Sequence, residues 1–83
     1  VKKQYEPQTI EQALGYLIEE CGEVCAAAGK TLRWGPQSVN PELSREEQET
    51  NAECLWREMR DLSGAIARMR KFIANEETNG GWS

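Results

Sequence analysis

The chain has 83 residues, a formal net charge of −4 and a sequence pI near 4.8. A chain this short is one domain, 1–83, with a core that is marginal unless a second copy helps to build it. The acidic balance excludes a general binder of nucleic-acid polymers or anionic membrane surfaces, and no apolar run approaches the ~20 residues of a membrane span. Thr9 reads as the cap of a first helix that runs from about 9 to 34, with Glu11 and Gln12 in its first turn. Leu14, Leu17, Ile18, Cys21, Val24, Cys25, Ala28 and Leu32 recur along it at helical spacing and read as its core side. Gly35-Pro36 ends the helix, and 35–43 is a loop rich in Pro, Asn, Gln and Ser. A second helix starts near Ser44 or Thr50 and runs to about Ala74. Its apolar positions are Cys54, Leu55, Met59, Leu62, Ala65, Ile66, Met69, Phe72 and Ile73. Asn75 to Ser83 is a polar, Gly-rich end that is expected to fray. The expected fold is all-α: an antiparallel helical hairpin that assembles into a four-helix bundle by oligomerisation.

The cysteines are Cys21, Cys25 and Cys54. On core faces they read as small, buried, reduced thiols, which fits a cytoplasmic protein without a signal-peptide pattern. Cys21 and Cys25 lie one turn apart, but a zinc site wants more thiolates or a histidine nearby, and the chain has no histidine. The lack of histidine also excludes a His-based triad and the Glu-x-x-His ligand pairs of di-iron bundles.

The acids are the informative residues. Glu20 and Glu23 are spaced i, i+3 on the first helix, and Glu58 and Asp61 are spaced the same way on the second. At ~100° per residue Glu20 falls between Ala13 and Ala27, Glu23 beside Tyr16, Glu58 beside Leu62 and Met69, and Asp61 beside Cys54 and Phe72. A solvated glutamate has no reason to sit in the middle of an apolar stripe, as Glu58 does. Converging carboxylates repel one another and carry a desolvation cost of several kcal/mol each at order of magnitude. Arg68, one heptad after Asp61, can neutralise one of them but hardly four. A divalent cation held by oxygen alone answers the problem, and such a donor set suits magnesium or manganese.

These residues resemble the MazG-type all-α nucleoside triphosphate pyrophosphohydrolases, in particular their short, phage-like members. The family mark is Glu-Glu-x-x-Glu on one helix and Glu-x-x-Asp on the next. Here it reads Glu19-Glu20-Cys21-Gly22-Glu23 and Glu58-Met59-Arg60-Asp61. Lys30-Thr31-Leu32-Arg33-Trp34-Gly35 follows the first motif and Thr50-Asn51 precedes the second. The resemblance spans about 9 to 73 and departs in a longer gap between the motifs. Many relatives also carry a third helical segment with Lys and Asn, for which a neighbouring subunit would have to substitute here. The resemblance implies Mg²⁺-dependent hydrolysis of a nucleoside triphosphate to the monophosphate and pyrophosphate. It implies Glu20, Glu23, Glu58 and Asp61 as metal ligands and Glu19 as the base or a supporting residue. Lys30, Arg33 and Lys71 would meet phosphate charge. Trp34 and Trp56 would stack on a base or pack in an interface, and Asn51 would read a base edge or cap the second helix.

Two other classes remain open at this point: a non-enzymatic helical oligomerisation module whose acids bind a structural cation, and a nucleotide-binding regulator that does not hydrolyse. All three readings share one expectation. Two helices do not hide Tyr16, Trp34 and Trp56 together, so the chain is expected to be a homodimer or a dimer of dimers with its site near the subunit interface.

Overall fold

The structure is a computed structural model that describes residues 5–78, with side chains to residue 75. It contains two helices, α1 (Ile10–Trp34) and α2 (Asn51–Thr78), packed on each other as an antiparallel hairpin of 52 × 28 × 14 Å. Among the described residues there is no strand, only an isolated antiparallel bridge between Val39 and Thr50. No helix there is long and apolar enough to cross a membrane. Residues 79–83 of the expected frayed end lie outside the described residues.

Local chemistry sets the ends of α1. Thr9 has an extended backbone, and its hydroxyl accepts the Gln12 N–H at 3.1 Å, so it caps the helix as expected. At the other end Gly35 takes φ 93°, a left-handed value that glycine adopts without a Cβ penalty, and its N–H returns to the Thr31 carbonyl at 2.9 Å.

Of the two expected starts, Ser44 and Thr50, the structure takes the second: α2 begins at Asn51 with Thr50 as its cap. The reason is a reciprocal cap: Thr50 Oγ1 accepts the Glu53 N–H at 3.1 Å, and Glu53 Oε1 accepts the Thr50 N–H at 2.8 Å. Residues 35–50 form the connection, so the loop is longer than expected. The Asn51 and Ala52 N–H groups tie it down by donating to the Ser38 and Pro36 carbonyls at 2.9 Å each.

The core is thin and built from small residues. Ala13 and Ala65 are fully buried, Ala27, Met69 and Tyr16 nearly so. Alanines at the crossing let the two backbones come close. Tyr16 closes one side, with Tyr5 edge-on to it at 5.0 Å between ring centres. This corrects the expected core side of α1. Leu14, Ile18, Cys21, Cys25, Ala28 and Leu32 are exposed, and only Leu17 and Val24 of that stripe are half-buried. The cysteines move with it: Cys21 and Cys25 are exposed and Cys54 is half-buried. α1 carries two apolar faces, and the hairpin uses the one centred on Ala13, Glu20 and Ala27. On α2 the expected stripe holds, apart from Met59, which is 49% exposed.

Candidate metal centre and adjoining pocket

The carboxylates converge where the helices cross. Glu20, Glu58 and Asp61 each place one carboxylate oxygen within 4.8 Å of the others. Glu58 is the buried one, at 7% exposure, while Glu20 and Asp61 are half-buried. The spacing that seemed out of place in the sequence explains this. Glu58 shares its face with Ala65 and Met69, and Glu20 shares its face with Ala13 and Ala27, so helix packing forces the acids together.

Burial is the main reason that the Glu58 carboxyl is pushed above its ordinary pKa. The adjacent Glu23 carboxyl adds to the rise and Asp61 adds a little more, while Arg57 works against it. Glu23 itself is exposed, at the open edge of the group.

Arg57 is the residue that sequence reasoning missed. Its Nη1 donates to Glu58 Oε1 at 2.7 Å, and its Nη2 and Nε donate to Glu49 at 2.7 and 3.4 Å. The Glu49 carboxyl is held below its ordinary pKa chiefly by that hydrogen bond. Arg57 precedes Glu58 by one position, and neighbours on a helix point ~100° apart, so spacing gave no signal of the pair. Arg68, read from the sequence as able to neutralise one of the four acids, instead binds Glu6 at 2.6 Å and the Gly64 carbonyl at 3.0 Å.

Arg57 takes only one of the two Glu58 oxygens. Glu58 Oε2 is buried with no hydrogen-bond partner among the described residues. Such an atom carries a desolvation cost of about 1–3 kcal/mol or more. A divalent cation fits it. The donors are all carboxylate oxygens, within 4.8 Å of one another, and an oxygen-only set suits a hard divalent cation.

Beside the acids, toward the loop, lies an open cavity of about 420 Å³ lined by Lys30, Trp34, Asn51, Cys54, Glu49 and the 38–43 segment of the loop. Cys54 stands one turn before Glu58 and Lys30 two turns after Glu23, so the cavity lies ~6–10 Å along the helices from the carboxylates. Asn51 forms its floor. Its amide donates to the Gly35 and Lys30 carbonyls at 3.0 and 3.3 Å, closing the C-terminal end of α1 from the other helix. It is thus a cap, though of α1 and not of α2.

Of the expected phosphate-binding residues only Lys30 lines this cavity. Arg33 is exposed on the last turn of α1. Lys71 is at the far end of the hairpin, where its charge acts on Glu6, about 25 Å along α2 from Cys54. Glu19 is exposed and does not join the converging acids. Trp56 lies on another side of the molecule in a groove with Met59, Arg60 and Ser63, away from Trp34. Comparison with protein-family models, with curated proteins and with solved structures gives no match for this chain.

Proposed function

We propose that the chain is a Mg²⁺-dependent nucleoside triphosphate pyrophosphohydrolase of the MazG type, acting in cytoplasmic nucleotide-pool house-cleaning. The observation that carries this reading is the convergence of Glu20, Glu58 and Asp61, flanked by Glu23, next to a cavity that offers a lysine, an indole and an amide. The cation, magnesium or manganese, supplies charge neutralisation of phosphate oxygens and a template for the triphosphate. Glu20, Glu23, Glu58 and Asp61 hold it. Lys30 meets phosphate charge from the cavity wall, with Arg33 above it on the same helix. Trp34 gives the base a face to stack on and Asn51 a polar edge. A carboxylate takes the proton of the water that attacks the α-phosphorus, and we assign Glu19, one turn before Glu23, to that role. Lys71 is left out of the site because of its distance.

The hairpin works in this reading as a homodimer or dimer of dimers, two hairpins completing a four-helix bundle. The contact that favours a different reading is the ion pair of Arg57 with Glu58. In that reading arginine satisfies the acids and the chain is an oligomerisation module or a nucleotide-binding regulator.

A screen of nucleoside triphosphates with magnesium, following pyrophosphate release, separates these. Monophosphate and pyrophosphate are the expected products. Free phosphate with a diphosphate overturns the assignment. Nucleotide binding without turnover establishes the regulator.

A further inference from the structure

The uncovered apolar stripe of α1 has a pattern of its own. Leu14, Ile18, Cys21, Cys25, Ala28 and Leu32 alternate steps of four and three residues, the spacing of a coiled-coil seam. At ~100° per residue they fall in a sector of about 80°. All are exposed, Ile18 at 69% and Leu32 at 91%. Gly15, Gly22 and Gly29 run along one edge, a heptad apart. A Cβ at Gly15 or Gly22 would meet nothing within 4 Å. Glycine inside a helix is less favourable than alanine, and no close packing among the described residues calls for it at Gly15 or Gly22.

The seam reads the same in both directions. Counted from Glu23, Cys21 and Cys25 stand two residues to either side, Ile18 and Ala28 five, and Leu14 and Leu32 nine. A two-fold axis at that level lays Ile18 over Ala28 and Gly29 of a second copy, Leu32 over Leu14 and Gly15, and Cys21 against Cys25. Ile18 thus meets small residues, and the two leucines meet each other at either end of the seam. Glu11, twelve residues before the axis, comes within ~3 Å along the helix of Arg33, ten residues after it, on the same edge and twice by symmetry, so the charges match as well.

α2 continues the face. Trp56 is 72% exposed and borders the groove beside Met59 and Ser63. From the core positions of each helix, both exposed stripes lie ~110–120° further round in the direction of the chain. Because the helices are antiparallel, those rotations bring both stripes to the same side of the hairpin. Glu58 is level with Glu23, so the same axis sets Trp56 level with Arg60 in the groove of the second copy. Two helices ~37 Å long and ~10 Å wide offer roughly 700 Å² per copy, close to a standard stable interface.

We propose that this face docks a second copy of the chain, α1 antiparallel on α1, about a two-fold axis level with Glu23. The inference rests on the homodimer of the reading above and fixes its register. It also moves the site. Glu23, Lys30, Arg57 and Asp61 are rotated to the opposite side, so each carboxylate group opens away from the interface instead of being shared across it.

Disulfide trapping in a Cys54→Ser background tests the register. Diamide takes up the two electrons and two protons released as two thiols join. Cys21→Ser and Cys25→Ser chains mixed and refolded together are expected to give a covalent dimer, and neither variant alone is. Cross-linking of a single variant by itself overturns the antiparallel register, as does a sedimenting dimer that the mixture fails to trap. A chain that sediments as a folded monomer overturns the interface itself. Leu32→Asp, fully at the surface of the hairpin, is expected to convert the dimer to a folded monomer. Pyrophosphate release by the same preparations reports on the enzymatic reading separately.

Discussion

Arg57 satisfies half of Glu58. Its guanidinium holds Oε1 at 2.7 Å, and Oε2 of the same carboxylate is buried with no donor among the described residues, beside the Glu23 carboxyl. The hairpin thus carries a destabilising group at its centre, beside the acids Glu20 and Asp61. Natural folds retain such groups where a ligand completes them.

Glu58→Gln separates the two roles of this carboxylate. It removes a charge from the repelling group, so the melting temperature in chelator is expected to rise. It also removes a ligand, so the rise caused by magnesium is expected to vanish. In the unaltered chain, magnesium at 100 times its Kd contributes about 2.7 kcal/mol by linkage, or ~10 °C or more for a domain of this size. Thermal melts of both chains with magnesium and with chelator check this. A Glu58→Gln chain with an undiminished magnesium effect sinks the ligand assignment.

The pH dependence follows from the same group. The folded pKa of Glu58 is raised above its unfolded value. The stability it lends is full below the unfolded pKa of about 4.5 and is lost as pH rises through the folded value. Glu6 and Glu49 are lowered, through hydrogen bonds with Arg68 and Arg57, so their stability is lost as pH falls through their folded values. The chelated chain is expected to be most stable between these windows. Because the cation competes with the Glu58 proton, the gap between magnesium and chelator melts is expected to widen with rising pH. A gap that is flat across pH 4–8 contradicts a carboxylate site.

Much of this was legible in the sequence, for reasons that can be named. Thr9, Gly35 and the Thr50–Glu53 box act through their nearest neighbours, so the helix ends follow from local chemistry. The place of Glu58 was legible because it sits in the middle of an apolar stripe that does face the hairpin, whereas Glu20 meets it because the side of Ala13 and Ala27 is the buried one. The core side of α1 was not. A helix with two apolar faces shows one broad stripe, and periodicity does not say that Ala13, Tyr16 and Ala27 face the hairpin while Ile18 and Leu32 stay outside. The role of Arg57 depends on Glu49, which belongs to the loop and has no periodic relation to α2. Lys71 illustrates the converse error: a cation carries no address, and the antiparallel course of α2 puts it at the wrong end.

Asn51 binds the two helices at the loop end, where its amide closes the Lys30 and Gly35 carbonyls. Asn51→Ala is expected to cost about 1–2 kcal/mol for the two bonds, a fall of several °C. Asn51→Asp is expected to cost more, because it removes the donor and sets a carboxylate against two carbonyl oxygens. Melts of the two variants check the order. An aspartate as stable as the asparagine overturns the capping role.

Arg57→Met tests whether the guanidinium and a cation compete. The loss leaves Glu58 and Glu49 without their counter-charge, so the melting temperature in chelator is expected to fall. Arg57 is 44% exposed, and solvent screening keeps the fall to the order of 1 kcal/mol. The same loss frees Glu58 Oε1 for ligation. The magnesium-induced rise is therefore expected to grow, and half-saturation to shift to lower magnesium. If instead the rise shrinks in step with the fall, Arg57 is holding Glu58 in its ligating position and the two charges cooperate. Isothermal titration with magnesium, set beside the melts, distinguishes these outcomes through the sign of the change in affinity.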